Sequence, residues 1–461
     1  MMSKRRAEMN QIADRSGAVA IVGAGPAGLS VARMFRRYGV DYDQFERHSG
    51  VGGLWDIDNP GTPMYESAHF ISSRDLSGFY DYPMPASFAD YPTRRQILSY
   101  TRQFADDFGL LDAIRLGNGV TRIDADGDKW LVTTSDGTTA RYRGVVCASG
   151  TNWHPRIPVH PGHFDGEIRH AVTYRSAREF DGKRVLVVGL GNSAADIGCD
   201  AAQSADAAFI STRRGYHVIP KHLFGVPVDQ LDDGPVALPR CIERPLMTAL
   251  LRLLVGDVTR WGLPKPDHKL FESHPLLNSQ LLHHLQHGDI TVKPEVERFD
   301  GTDVVFVDGS REQIDLVLYA TGYEMRIPYV DDTLFEWNGD RPAQYLTAFN
   351  RRHRNLFTLG YIETNSSAYT LFDSVSNLIA QYLAAQDSDP ALAARFDDLI
   401  AHDTPDLSGG LSLVRSDRHR GYIDSKAIRK TIDRVVSETG CRPLIPGFED
   451  SLRTRPATTA G

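Results

Sequence analysis

No run of this chain is apolar for the roughly 18 residues that a bilayer crossing requires; the richest stretch, Leu246 to Val255, is interrupted by Arg252. The sequence therefore reads as a soluble, cytoplasmic protein with no membrane anchor. Cysteine is scarce as well. The 4 cysteines, Cys147, Cys199, Cys241 and Cys441, stand far apart with no CxxC pair, which argues against a dithiol oxidoreductase, since that chemistry needs two thiols within reach of each other. A basic excess is also missing: 51 Lys and Arg against 59 Asp and Glu leave a net charge of −8, so no general nucleic-acid binder is expected. The histidines lack ligand spacing with Cys or carboxylates, so no metal is expected, and His283-His284 reads as one face of an amphipathic helix. No Ser-His-Asp constellation stands out. The basic cluster Lys4-Arg5-Arg6 is followed by polar sequence rather than the apolar core of a signal peptide, so residues 1–17 are expected to be a disordered leader and 451–461 a loose tail.

What the chain does contain is one phosphate-cradling pattern written twice, Gly23-x-Gly25-x-x-Gly28 and Gly189-x-Gly191-x-x-Ala194. In each copy a short β-branched run, Ala18 to Val22 or Val185 to Val188, leads into the glycines and then into a helix-forming stretch. That context gives the pattern its mechanism. The first Gly makes the turn, the second lets the backbone approach a pyrophosphate, and the helix N-terminus supplies N–H donors and partial positive charge. After the first copy, Glu46 closes the run Tyr42 to Phe45 at the distance where a carboxylate accepts hydrogen bonds from an adenosine ribose. Gly52-Gly53-Leu54-Trp55 then offers close backbone approach and an indole that packs against a flavin. After the second copy come Arg213 and Arg214, guanidiniums suited to a 2′-phosphate. The expected cofactors are FAD at the first site and NADPH at the second.

The repeat extends further. Arg143 to Gly150 and Asp315 to Gly322 are similar apolar runs ending in a small-polar-Gly turn, of the kind that marks a crossing between domains. The expected fold is α/β: two Rossmann-like dinucleotide-binding domains, with the NADPH domain (161–318) inserted into an FAD domain made of 18–160 and 319–450. Thr93 to Phe108 and Ser374 to Ala385 carry helical apolar stripes. Asp181 to Arg184 and Val307 to Ser310 read as turns. Tyr216 to Leu285, richer in Pro and Leu, reads as a helical excursion shaping access to the nicotinamide.

The stretch Phe164-x-Gly166-x-x-x-His170-x-x-x-Tyr174 fits the fingerprint of the flavin-containing monooxygenases, and the chain resembles that family over nearly its whole length. Gly52 to Trp55, Phe79 to Pro85, Trp261 to Pro264, His274-Pro275 and Ala320 to Tyr323 fall in family order. The resemblance implies that Gly23, Gly25, Gly28, Glu46, Leu54 and Trp55 contact FAD, while Asn192, Ser193 and Arg213 contact NADPH beside Gly189 and Gly191. It further implies that NADPH reduces the flavin, that O2 adds to give a flavin hydroperoxide, and that one oxygen atom passes to a small organic substrate. N- or S-oxygenation is the leading expectation. Baeyer–Villiger oxygenation of a ketone is the alternative, although the relatives that catalyse it usually carry Trp where Tyr174 stands. An FAD- and NADPH-binding redox sensor is the reading from another class. The family usually places a Thr-Asn or Ser-Asn pair near the flavin and nicotinamide, and here gapless counting puts Phe70 and Ile71 there. Ser72 is the nearest polar substitute and the candidate catalytic residue, with His69 next. His170 is expected to anchor the linker between domains. The partners expected are the substrate and O2, and a homodimer is compatible with the sequence.

Overall fold

Alternation along Ala18 to Val22 sets the first sheet. Ala18, Ala20 and Val22 are buried on one side and Val19 and Ile21 on the other, as the two-residue period of a strand dictates. The strand outruns the apolar stretch: β1 spans Ala13–Val22, so the segment Ala13 to Gly17, expected in the leader, is strand instead. Pairing supplies the reason, since Ala13 to Arg15 pair with Ala140 to Tyr142 and Arg15 Nε donates to Asp43 Oδ2 at 2.8 Å. This computed structural model describes residues 12–232, 240–273, 275–411, 413–414 and 421–447. The rest of the expected leader, His274 and the tail 451–461 lie outside the described residues.

Helix α1, Pro26–Tyr38, carries the chain to β2, Tyr42–Phe45, which lies parallel to β1 with Val22 opposite Phe45. Helix α2, Arg94–Asp107, starts at a capping box in which Thr93 and Gln96 satisfy each other's backbone N–H groups. The long strand β3, Thr139–Cys147, returns parallel to β1 on its other edge, with Val22 opposite Cys147.

The chain then leaves through β4, His154–Pro155, and builds a second sheet from β5 (Glu167–His170), β6 (Arg184–Val188), β7 (Ala207–Ser211), β8 (Ile290–Lys293) and β9 (Leu316–Tyr319). Its order is β8-β7-β6-β9-β5 and every pairing is parallel. Helix α3, Asn192–Ser204, joins β6 to β7, and α4, Ser279–His287, precedes β8. On α4, His283 is exposed while Leu281, Leu282 and Leu285 are buried, the amphipathic face read from the sequence. After β9 the chain passes through β10, Tyr323–Glu324, and β11, Leu356–Thr358, rejoins the first sheet beside the C-terminal half of β3. All five strands of the second sheet thus lie between two parts of the first. The two crossings pair with each other: β4 is antiparallel to β10, and Arg156 N donates to Gly322 O at 3.0 Å.

The segment from Tyr216 to Leu285 is less helical than expected. Among its described residues it holds a hairpin of His222–Leu223 with Val226–Pro227, a parallel bridge of Val218–Ile219 to Leu276–Leu277, the helix Arg240–Leu254 and α4. Helix α5, Tyr369–Ser388, extends beyond the expected 374–385 and packs along α1. Between them Arg33 meets Asp373 at 3.5 Å with both side chains wholly buried. A buried pair offsets its desolvation only with further hydrogen bonds. Here Arg33 donates to Tyr80 O at 3.0 Å and Asp373 accepts from Tyr80 N at 2.7 Å.

Candidate functional site

Two of the first three motif glycines are demanded by packing. Gly23 sits at φ 107°, and a Cβ there would lie 2.6 Å from Ala148 O. At Gly28 a Cβ would lie 2.0 Å from Gly23 O, so only glycine lets α1 close onto the turn that follows β1. Gly25 serves differently. It is the N-cap of α1, no side chain caps that helix, and no acid stands in its first turn. First-turn N–H groups have no intrahelical acceptor, and left bare they are the donors a pyrophosphate takes. Glu46, buried at the end of β2, accepts from Ala24 N at 2.7 Å and from His48 N at 2.9 Å. Each carboxylate oxygen keeps a second lone pair for ribose hydroxyls. Leu54 and Trp55 lie in the single turn Gly53–Trp55, folded against Gly25, whose Cβ would be 3.4 Å from Gly53 Cα. The Trp55 ring stacks on Phe70 with centroids 5.1 Å apart, and Phe70 stands edge-on to Tyr369 at 5.6 Å. A glycine cradle, a bare helix end and a buried acid fit an adenine dinucleotide.

The second cradle repeats the first nearly atom for atom. Gly189 has φ 125°, and its Cβ would be 2.6 Å from Ala320 O, as Gly23 stands to Ala148. Gly191 is the N-cap of α3, again with no capping side chain and no acid in the first turn, and a Cβ there would meet nothing within 4 Å. By contrast α2, α4 and the C-terminal helices Pro390–His402 and Ser425–Thr439 are capped by Thr93, Asn278, Asp389 and Asp424. One further long helix start is bare, that of α5 behind Ala368, where Ser367 Oγ is buried with no partner among the described residues. Asn192 Oδ1 accepts from Leu277 N at 3.2 Å, and Ser193 is exposed. Arg213 follows β7 and is exposed, whereas the Arg214 guanidinium lies 5.3 Å from the Tyr216 ring centroid. This set fits a second dinucleotide that carries an additional phosphate.

Of the contacts that join the units, two devices stand at the crossings and at the second cradle. At the crossings His170 Nδ1 accepts from Val172 N at 3.1 Å, which leaves Nε2 protonated and donating to Gly322 O at 3.1 Å. Burial pushes the His170 pKa down, keeping it neutral. His170 is thus a linker anchor. The other device was not visible in the sequence: Tyr65 donates to Asp196 Oδ2 at 3.0 Å, Asn278 donates to Asp196 Oδ1 at 2.7 Å, and Asp200 accepts from Ser67 at 2.5 Å and Tyr174 at 2.8 Å. Asp196 and Asp200 stand one turn apart on α3, so two carboxylates clamp the 64–67 loop of the first unit to the helix of the second cradle. Burial, with Asp200 adding repulsion, raises the Asp196 pKa to about 7; burial likewise raises that of Asp200. Two acids on the buried face of an otherwise small and apolar helix were the signal available.

Ser72 accepts from Ser77 Oγ at 2.7 Å within its own loop and is half-buried, while Ile71 is 39% exposed. Cys147, Cys199 and Cys441 are buried free thiols, and burial raises the Cys147 pKa to about 12, which keeps it protonated. Among the described residues no cluster of His, Cys, Asp and Glu could hold a metal, and no helix is long and apolar enough to cross a membrane.

A family model described as flavin-binding monooxygenase-like matches residues 16–448. Flavin-containing monooxygenase 5 of Oryctolagus cuniculus is 31% identical over 341 residues, which are 68% of this chain and 63% of that protein. Dimethylaniline monooxygenase (N-oxide-forming) 2 of Mus musculus is 32% identical over 355 residues, 72% of this chain and 66% of that protein. The match therefore spans just under two thirds of the length of both curated relatives. Among solved structures, an oxidized steroid monooxygenase bound to NADP superposes with a TM-score of 0.67 at 21% identity, covering 92% of this chain and 98% of that one.

Proposed function

The chain belongs to the flavin-binding monooxygenase-like family, and from that premise we propose that it holds FAD in the first cradle and NADPH in the second. Its reaction, on this reading, inserts one oxygen atom from O2 into nitrogen or sulfur of a small organic substrate. The observation that carries the reading is the repeated cradle: two helices with glycine N-caps and no capping side chain, each following a strand that has parallel neighbours on both sides in its own sheet. Helix N-termini at such strand ends are where dinucleotide phosphates bind in this architecture. FAD, when bound, supplies the redox chemistry, with NADPH as electron source. The protein's own residues hold, orient and shelter. The first turn of α1 and Glu46 hold one dinucleotide; Gly191, Asn192, Ser193 and Arg213 hold the other. The clamp of Asp196 and Asp200 on Tyr65 and Ser67 fixes the loop that leads to Phe70, Ile71 and Ser72. Ser72 is then the hydroxyl offered where the family carries an amide, and the hydrogen bond it makes there orients groups at the site rather than relaying protons. The N-oxide-forming relative supports heteroatom oxygenation ahead of ketone oxygenation.

The test is a product screen. Purified enzyme with NADPH and isotopically labelled O2 is offered tertiary amines, thioethers and ketones, and products are read by mass spectrometry. Labelled N-oxide or sulfoxide is expected. A labelled ester or lactone from a ketone would move the assignment to Baeyer–Villiger chemistry. NADPH oxidation that yields only hydrogen peroxide with every substrate would defeat the monooxygenase reading.

A further inference from the structure

Among the described residues Lys221 is a partly buried cation with no carboxylate partner. Lys221 stands at the start of the hairpin after β7, and its backbone is fixed on three sides. Its N–H donates to Ser279 Oγ at 3.1 Å, and its carbonyl accepts from Tyr91 OH at 2.5 Å and from Val228 N at 2.9 Å. The side chain crosses to the first unit, where Nζ lies 5.0 Å from the Tyr91 ring centroid and donates to His69 Nε2. The tautomer of His69 follows from its other nitrogen. Nδ1 sits 3.0 Å from Ser67 O, which can only accept, so Nδ1 carries the proton and Nε2 is the acceptor. Lys221 therefore faces an acceptor nitrogen, and one of its N–H donors is engaged by His69. Among the described residues no carboxylate pairs with it. Of the acids beside Tyr91, Asp90 meets His222 at 3.0 Å, and Asp229 accepts from Ser73 N at 2.6 Å through Oδ2 while its Oδ1 is buried with no hydrogen-bond partner among the described residues. Burial alone pushes the Lys221 pKa down to about 8, the response of a cation with nothing to offset its lost hydration.

The place is as telling as the charge. Ile219 pairs with Leu277, whose N–H binds Asn192 at the start of α3. His69 belongs to the loop that continues into Ile71 and Ser72. Lys221 thus stands between the second cradle and the position where the family amide is missing. We infer that Lys221, oriented by His69, is an anion-recognition point that takes an oxyanion group from a ligand bound between the two units. The inference rests on the functional reading above. Two sources could supply the anion: a carboxylate on the substrate, or a phosphate of the nicotinamide dinucleotide.

The experiment compares wild type with Lys221→Met, Lys221→Gln and Lys221→Arg, each checked for wild-type melting temperature and flavin content. NADP⁺ is titrated by tryptophan fluorescence. The thioether 3-(methylthio)propanoate and its neutral amide are titrated by calorimetry. Loss of a charge-assisted contact should weaken one of the two anions by roughly 10-fold or more in Lys221→Met and Lys221→Gln, leave the amide unchanged, and be largely restored in Lys221→Arg. Loss confined to the propanoate identifies a substrate carboxylate; loss confined to NADP⁺ identifies a dinucleotide phosphate. Wild-type binding of both anions that the neutral variants leave unchanged overturns the inference alone. Wild type that binds none of the probes overturns it together with the functional reading.

Discussion

Gly28 and Gly191 occupy neighbouring places in the two copies of one motif, yet alanine at each should fail in a different way. At Gly28 the new methyl would lie 2.0 Å from Gly23 O and 2.9 Å from Gly23 C. Overpacking of this kind costs about 1–3 kcal/mol, and because both opposing atoms are backbone the upper end applies. Alanine in a helix returns about 1 kcal/mol, which leaves a net loss of about 2 kcal/mol. For a cooperative unit of about 250 residues that lowers the melting temperature by about 4–8 °C. At Gly191 the methyl meets nothing within 4 Å, and φ of −94° suits any residue. Only the mild N-cap preference is lost, within about 1 kcal/mol, but on the proposed reading the methyl stands where the pyrophosphate approaches. Thermal unfolding by circular dichroism and NADPH titration by fluorescence separate the two effects. Gly28→Ala should melt early, whereas Gly191→Ala should melt close to wild type and bind NADPH about 10-fold or more weakly. A Gly28→Ala protein as stable as wild type, or a Gly191→Ala protein with undiminished NADPH affinity, would refute the division of the glycines into packing and ligand roles.

Arg213→Ala should weaken NADPH by about 10- to 150-fold, the range of one charge-assisted contact, and leave NADH nearly unchanged; equal losses for both in steady-state titrations would remove Arg213 from the 2′-phosphate. Ile71→Asn should lower the hydrogen peroxide released per NADPH consumed, because an amide at this exposed position holds the two ring systems in register; a peroxide assay that finds the two proteins equally coupled would place the missing group elsewhere. Asp196 gives a pH dependence with a defined sign. Its folded pKa of about 7 lies above the ordinary 3.8, so its stabilising contribution is complete below about pH 4 and is lost as pH rises to about 7. Urea midpoints of wild type should therefore carry a decline over that window that Asp196→Asn lacks, and parallel pH profiles would show that the Asp196 carboxyl does not titrate in it.

The fold class and both cradles were legible in the sequence because the features that encode them are local. A β-branched run, glycines at fixed spacing and a helix-forming stretch specify strand, turn and bare helix end with little help from the rest of the chain. Glu46 and Arg213 could be proposed for the same reason, since each stands just after a strand whose end could be read. The matching runs ending at Gly150 and Gly322 marked the crossings. What escaped depends on residues far apart in sequence. Ala13 to Gly17 lack an apolar run, and the segment becomes strand because Ala13 to Arg15 pair with β3. The excursion after Tyr216 mixes hairpin, bridge and helix because its partners lie in the 276–277 segment and in the first unit. Tyr65 reaches Asp196 across 131 residues and Lys221 reaches His69 across 152. No local pattern encodes such pairs. An acid on a helix face or a lysine after a proline reads as a solvated charge until the opposite unit is brought against it, and that contact, through the burial it imposes, turns Asp196 and Asp200 into a clamp and leaves Lys221 with no carboxylate partner among the described residues.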